Sequence, residues 1–462
     1  MNATSVAEGK RTAASSRRVV LASFVGTLIE YYDFGIYGFM AVTIAPLFFP
    51  NSDPLVSLLS ALAVFASSFL FRPLGGIFFG WLGDRSGRKV ALVATVVSMG
   101  IVSGIVGLLP TYAVVGIIAP IALIVLRMAS GFSAGGEIGG AATYVAESVP
   151  RNRRNFFGSL VPSGAYFGFA AAAATVGVVV GLTTPAQMAA WGWRIPFLLA
   201  LPLAVICLIA RLKLEESAEF IETATKGEIV KFPLWDVLRK NWVSVLRVIA
   251  VAIATNGTTW IGLTYLNIYL INELGFPPRS VYWISAAVIA LTAASMPLAG
   301  WLADRWSAQT IVVIGLVGYL VFSYPILATM GVATNLAVVA TLYLVFMLFN
   351  GFLEAGAFPL FPELFPANNR YSGVAFGFNL GAIMAGGTAP YIATMLVAET
   401  GDHNSPAFFV MAVALIGLIG VFKLRPRKKQ QFAETGVSPR TSSLRNQLVS
   451  EMDSDGSGAS PA

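Results

Sequence analysis

The sequence predicts an all-α integral membrane protein with about twelve transmembrane helices in two six-helix pseudo-repeats, and three observations lead there. Of its 462 residues, 56% are hydrophobic and only 11% are charged, less than half the roughly 25% usual for a soluble domain. The apolar residues gather into about twelve runs, each close to the ~20 residues that a spanning helix needs. Short patterns from the first half also return in the second at a nearly constant offset. Together these exclude water-soluble, disordered, collagen-like and disulfide-scaffold classes. The single cysteine, Cys207, cannot form an internal disulfide.

Taken in order, residues 1–18 form a basic N-terminal tail carrying Lys10, Arg11, Arg17 and Arg18. The first run, at 19–47, contains Glu30 and Asp33, which makes it too long and too charged for a cleaved signal sequence. Apolar runs at 55–82, 89–109, 113–141, 155–182 and 192–212 complete a first half spanning 19–212. A polar connection, 213–242, with charges of both signs, divides the chain. The second half, 243–424, holds runs at 243–272, 280–302, 309–330, 335–362, 371–397 and 405–424. Residues 425–462, rich in Ser, Gly, Asp and Glu and without an apolar period, read as a disordered tail.

Charge placement sets the expected topology. Lys and Arg cluster at Arg85, Arg88 and Lys89, at Arg151, Arg153 and Arg154, through the central connection, and from Lys423 to Lys429. The alternate connections are nearly bare, with Arg194 and Arg279 the main exceptions. Cytoplasmic loops carry such an excess, so both termini are expected inside a cytoplasmic membrane. The net charge of +7 then reflects topology, not a nucleic-acid partner.

The repeat is visible in the residues themselves. Gly80-Trp81-Leu82-Gly83-Asp84-Arg85 recurs as Gly300-Trp301-Leu302-Ala303-Asp304-Arg305, 220 positions on, and Gly131-Phe132 recurs as Gly351-Phe352 at the same separation. Glu147, Pro150 and Arg154 return as Glu363, Pro366 and Arg370 after 216 positions. Parallel repeats of this kind place a substrate site near the midplane, between the halves.

Gly80-Trp81-Leu82-Gly83-Asp84-Arg85-Ser86-Gly87-Arg88-Lys89 resembles the signature loop of the major facilitator superfamily, Gly-x-Leu-x-Asp-Arg-x-Gly-Arg-Lys. Small residues let two helices approach, and an aspartate there can meet a basic partner or a helix N-terminus. Gly80, Gly83, Asp84, Arg85, Gly87 and Arg88 are therefore the expected conformational latch. The second copy lacks the trailing Gly-Arg-Lys, having Trp306-Ser307-Ala308-Gln309. Glu30 to Gly38, Arg72-Pro73-Leu74-Gly75-Gly76, Gly131 to Glu137, Trp191 to Phe197 and Glu215 to Phe220 look like the metabolite:proton symporter family. Ile253 to Asn256, Leu263-Thr264-Tyr265, Phe365-Pro366 with Arg370-Tyr371-Ser372, and Ala375 to Asn379 are most similar to its proline/betaine branch. There are two departures. Ser130 stands where the superfamily pattern has Gln, and the tail has no heptad run for the coiled coil of that branch.

An ionisable side chain inside a span is costly and defaults to a functional role. Glu30, Asp33, Arg72, Arg127, Glu137 and Glu354 are thus the proton-coupling candidates, with Glu30 and Asp33 on one helix face. A zwitterionic solute needs a carboxylate partner and an acid or aromatic faces for its cation. Tyr31, Tyr32, Tyr37, Trp260 and Tyr265 could form such a cage, and Asn256, Asn350 and Asn379 add polar contacts. The same residue types also serve plain helix packing. The glycine pairs Gly131/Gly135, Gly135/Gly139 and Gly136/Gly140 predict close helix contact. The only histidine, His403, falls in an expected outer loop, and no phosphate loop, metal cluster or nucleophile motif occurs.

The resemblance implies the major facilitator fold and proton-coupled symport of proline or glycine betaine by alternating access. It further implies the proton gradient as energy source, with no cofactor and no ATP-hydrolysing subunit, and a chain that is not an enzyme. The partners are then a small solute, a proton and the lipid bilayer. Symport of an organic acid such as shikimate, 2-oxoglutarate or citrate is the alternative within the family, and a non-transporting solute receptor or osmosensor the alternative of another class.

Overall fold

A computed structural model of the protein describes residues 3–86, 88–135, 149, 151–212, 239, 241–365 and 370–422. The chain divides into a unit of Met1–Val421 and a C-terminal unit, Phe422–Ala462, of which only Phe422 is among the described residues. With no water inside a bilayer, backbone polar groups must be satisfied within the segment. The described residues accordingly form helices and no strand. The principal helices are α1 (Ala3–Phe48), α2 (Pro54–Ser86), α3 (Arg88–Leu108), α4 (Ile118–Ala134), α5 (Leu160–Leu182), α6 (Arg194–Leu212), α7 (Trp242–Trp260), α8 (Pro278–Arg305), α9 (Ala308–Val332), α10 (Leu336–Glu363), α11 (Arg370–Ala385) and α12 (Pro406–Phe422).

Eight stretches among the described residues are long and apolar enough to cross a membrane, or nine if Pro185–Gly192 and Arg194–Ile209, bent by 44°, form one span. The apolar helices α4 and α12 are shorter, at 17 residues each. Together with α1 these correspond to the runs read from the sequence.

Among the described residues the fourth run begins as the short helix Tyr112–Val115, breaks at Gly116 with a positive φ of 59°, and resumes as α4. The eleventh run is interrupted at Gly386 and Gly387, then continues as Thr388–Thr400. A side chain at either glycine would press on Phe69 of α2, so the two helices meet closely there. Beyond Trp260, α7 continues through π-helical turns at Ile261–Tyr265 and Tyr269–Glu273. Wider turns of this kind are frequent at functional sites.

Apolar side chains face outward as well as inward. Leu70, Leu74 and Ile77 on α2, Ile101, Ile105 and Leu108 on α3, and Ile121 and Val125 on α4 are exposed. Their spacings of three and four residues form stripes suited to lipid, where an apolar surface needs no cover.

Small residues fix the inner contacts. A Cβ on Gly131 would strike the Ser68 carbonyl, one on Gly135 the Arg72 carbonyl, and one on Gly75 the Phe132 carbonyl. The α2 and α4 backbones are therefore in contact, as the Gly131/Gly135 spacing predicted. Gly136, Gly139 and Gly140 lie outside the described residues. This packing seats the Arg72 backbone against α4.

The halves obey the repeat. Helix α5 packs on α8 and α2 packs on α11, pairs that exchange when each number is shifted by six. Ser163 Oγ donates to the Ala293 carbonyl across the α5/α8 seam at 2.9 Å. The space between the halves is where the functional side chains converge.

Candidate functional site

A narrow cleft lies between the halves. Its walls come from Tyr31 of α1, Arg72 of α2, Pro162, Ala165, Tyr166 and Phe169 of α5, Asn256, Thr259 and Trp260 of α7, Glu354 and Phe358 of α10, and Phe378 of α11. Both repeats contribute, and one buried cation and one buried carboxylate face the same space.

Edge-to-face rings build the aromatic wall. Trp260 meets Phe65 at 4.8 Å, Phe169 at 5.3 Å and Phe69 at 5.6 Å between ring centroids. Phe169 also meets Tyr31 at 5.3 Å and Tyr166 at 5.9 Å. Such rings pack well against one another and present faces that attract cations.

Arg72 is 2% exposed, and its guanidinium rests on Phe34 at 4.3 Å and Phe69 at 4.6 Å. Its Nε and Nη2 have no hydrogen-bond partner. Arg72 lies within electrostatic reach of Glu30, itself buried on α1.

Glu354 sits on the opposite half within a polar network. Its Oε1 accepts from Thr259 Oγ1 at 2.9 Å. Thr259 lies 3.3 Å from Asn350 Oδ1, Asn350 Nδ2 donates to Thr258 Oγ1 at 2.9 Å, and the Tyr166 hydroxyl donates to Asn350 Oδ1. Tyr166 belongs to the first half and Asn350 to the second, so the network joins the halves beside the cleft.

A second polar centre lies among α1 and α4 and does not line the cleft. Arg127 Nη1 is 3.5 Å from Asp33 Oδ2, and Ser130 Oγ donates to the same oxygen at 3.5 Å. The Arg127 guanidinium lies 4.5 Å from the Tyr37 ring and 5.3 Å from the Phe34 ring. Phe34 therefore touches both buried arginines.

Of the sequence candidates, Tyr31, Arg72, Asn256, Trp260 and Glu354 line the cleft, while Asn350 lies one layer behind it. Tyr32 turns away to the Pro196 carbonyl at 3.3 Å, Tyr37 donates to the Ala61 carbonyl at 3.1 Å, and Tyr265 stacks on Tyr269. Asn379 lies at the α2/α11 contact near Gly76. Glu137 and Gly87 lie outside the described residues. Gly80, Gly83, Asp84, Arg85 and Arg88 fall at the end of α2 and the start of α3.

The sequence reading missed Tyr166, Phe169, Thr259, Phe358 and Phe378, whose only signal was an aromatic or hydroxyl in an apolar helix. The second latch copy, which lacks the trailing Gly-Arg-Lys, nevertheless makes a contact between the halves. Asp304, at the end of α8, accepts from the backbone N–H groups of Asn155 at 2.9 Å and Phe156 at 3.1 Å. A carboxylate on a helix N-terminus satisfies donors that have no intrahelical partner and meets the positive end of the helix dipole. At the other end of α8, Tyr282 donates to the Phe39 carbonyl at 2.9 Å. The halves are thus tied at both ends of α8, above and below the cleft.

Two pseudo-symmetric helical halves around a charged, aromatic cleft define a membrane carrier. Comparison with known proteins agrees. A sequence model described as Major Facilitator Superfamily matches residues 23–376 and 248–450. The proline/betaine transporter of Salmonella typhimurium is 36% identical over 93% of this chain and 87% of its own length. A glycine betaine/proline/ectoine/pipecolic acid transporter of Dickeya dadantii is 37% identical over 93% and 86%. The shikimate transporter of Escherichia coli is 33% identical over 91% and 97%. Among solved structures, the proton:xylose symporter XylE superposes with a TM-score of 0.72 at 15% identity, covering 89% of this chain and 95% of that one, a likeness of fold. The chain belongs to the major facilitator superfamily. It is a multi-pass membrane transporter and not an enzyme.

Proposed function

We propose that the protein couples inward proton flow to uptake of a small zwitterionic solute of the proline and glycine betaine type, by alternating access of its two halves. The carrying observation is the inter-half cleft, aromatic-walled and placed apart from a buried acid–arginine pair. The names of the relatives, proline/betaine transporters at 36% and 37% identity, point to the same solute class.

The two centres divide the work. Rings of Trp260, Phe169 and Tyr31 suit the ammonium of such a solute, whether or not its nitrogen carries N–H. A proton on Asp33 removes the charge facing Arg127, and Arg127 shares the Phe34 ring with Arg72 at the cleft wall. Protonation is in this way linked to the side of the cleft that meets the solute. Rocking then breaks the Asp304 ties at one end and the Tyr282 tie at the other in alternation. The clustering of Lys and Arg in alternate connections supports a cell-membrane orientation with both termini on the cytoplasmic side. The proton gradient supplies the energy without cofactor or ATP-hydrolysing subunit.

Uptake of labelled proline and glycine betaine into vesicles, with and without an imposed pH gradient, tests this reading. Accumulation should collapse on adding a protonophore, and accumulation indifferent to it would overturn proton coupling. Symport of an organic acid is supported by the shikimate transporter's 33% identity and by the buried arginines. Glu354 in the cleft repels such an anion. Competition between betaine and a dicarboxylate separates the two readings.

A further inference from the structure

Resting on the functional reading above, we infer that Arg72 and Glu354 hold opposite ends of one bound zwitterion. Its carboxylate sits at Arg72 in the first half and its cationic nitrogen at Glu354 in the second, so the ligand itself bridges the halves.

Arg72 supplies the first pole. A guanidinium taken out of water must be paired or hydrogen-bonded, or its burial is costly. Here Arg72 is 2% exposed and its guanidinium rests on ring faces, and Nε and Nη2 make no hydrogen bond although Glu30 lies within electrostatic reach. Those two nitrogens form the fork that a carboxylate engages bidentately. The same side chain lines the cleft, so the hydrogen bonds left open at Nε and Nη2 are ones a carboxylate arriving from the cleft can supply.

Glu354 supplies the second pole. It is 6% exposed, lines the cleft from α10, and is steadied by Thr259. No ion pair joins it to Arg72 among the described residues. Trp260 and Phe358 stand on the same half of the cleft, so a cation there meets a carboxylate and aromatic faces together.

The arrangement selects for paired charge. A ligand with only a carboxylate leaves Glu354 buried without a cation, and one with only a cation leaves the Arg72 fork empty. Leaving one partner of a buried charge pair alone weakens binding by roughly 30-fold or more. Zwitterions of matching length should therefore bind well, and equally shaped ligands of single charge poorly.

Equilibrium binding to the purified full chain tests this with three probes of similar shape: glycine betaine, choline, and 3,3-dimethylbutyrate. The wild type should bind glycine betaine at least ~30-fold more tightly than either of the others. Arg72→Gln should lose that preference over choline, and Glu354→Gln should lose it over 3,3-dimethylbutyrate. Arg72→Lys and Glu354→Asp should keep part of it. Thermal unfolding of each variant reports whether it has folded, and the wild-type comparison stands without any variant. A wild type that binds choline or 3,3-dimethylbutyrate as tightly as glycine betaine overturns the inference. So does a folded Glu354→Gln protein with unchanged preference. A wild type that binds neither glycine betaine nor proline overturns the functional reading, and this inference with it.

Discussion

Arg127 faces Asp33 across 3.5 Å in the bundle interior, with side-chain exposures of 1% and 3%, and neither residue lines the cleft. A buried pair left with one partner is strongly destabilised, so the charge on Asp33 decides where Arg127 rests. Asp33→Asn should abolish accumulation driven by a pH gradient while sparing exchange of labelled for unlabelled solute, which moves no net proton. A drop of tenfold or more in the first assay is expected, with less than threefold in counterflow. Equal losses in both would place Asp33 in solute binding or in folding.

Asp304 ties the end of α8 to the start of the fifth span through two backbone N–H groups. Charge-assisted bonds of this kind are worth about 1.5 kcal/mol, roughly a tenfold shift in a two-state equilibrium. Asp304→Ala should therefore favour the state in which this end is open. Ser159, fully buried beside Gly300, reports on it. On a Cys207→Ala background, Ser159→Cys should react with a water-soluble maleimide roughly tenfold faster once Asp304 is replaced.

The α2/α4 contact should tolerate no added methyl group. At Gly131 or Gly135 a Cβ would overlap a backbone carbonyl, and backbone cannot yield as a flexible side chain does. Overpacking costs about 1–3 kcal/mol even where side chains can adjust. Gly131→Ala should lower the melting temperature in detergent and the folded yield, whereas Gly181→Ala, facing the Arg279 side chain, should change little.

Trp260 of the second half meets the first-half rings of Phe65, Phe69 and Phe169 and lines the cleft. Cation–aromatic contacts sealed from water are worth about 2 kcal/mol. Trp260→Ala should raise the KM for glycine betaine by ~30-fold, and Trp260→Phe by less. A variant that lowers only the maximal rate would assign Trp260 to the conformational step instead.

Charges inside spans were legible because any ionisable group stands out against an apolar run, and Arg72, Arg127, Asp33 and Glu354 were all identified that way. Of the aromatic candidates only Tyr31 and Trp260 line the cleft, while Tyr32, Tyr37 and Tyr265 do not. Tyr31 and Tyr32 are neighbours, but each helical residue turns the side chain by about 100°, which sends Tyr31 to the cleft and Tyr32 to Pro196. Sequence fixes that separation and leaves the phase of the helix to packing against α5. Phe169, Phe358 and Phe378 look like ordinary lipid-facing or core residues until the halves are brought together. Asp304 was visible as part of the repeat, but its partner was not, because a helix N-terminus carries no side-chain signature. The fold was legible from composition, charge alternation and the internal repeat, while breaks at Gly116 and Gly386 depend on local backbone geometry.

Proton and solute moving together is the central claim, and one recording tests it. Purified protein in liposomes, suspended in weak buffer without an imposed gradient, receives glycine betaine while external pH is followed. Symport predicts immediate alkalinisation of the medium that a protonophore cancels and that Asp33→Asn abolishes. Entry of labelled betaine with no change in external pH would contradict it.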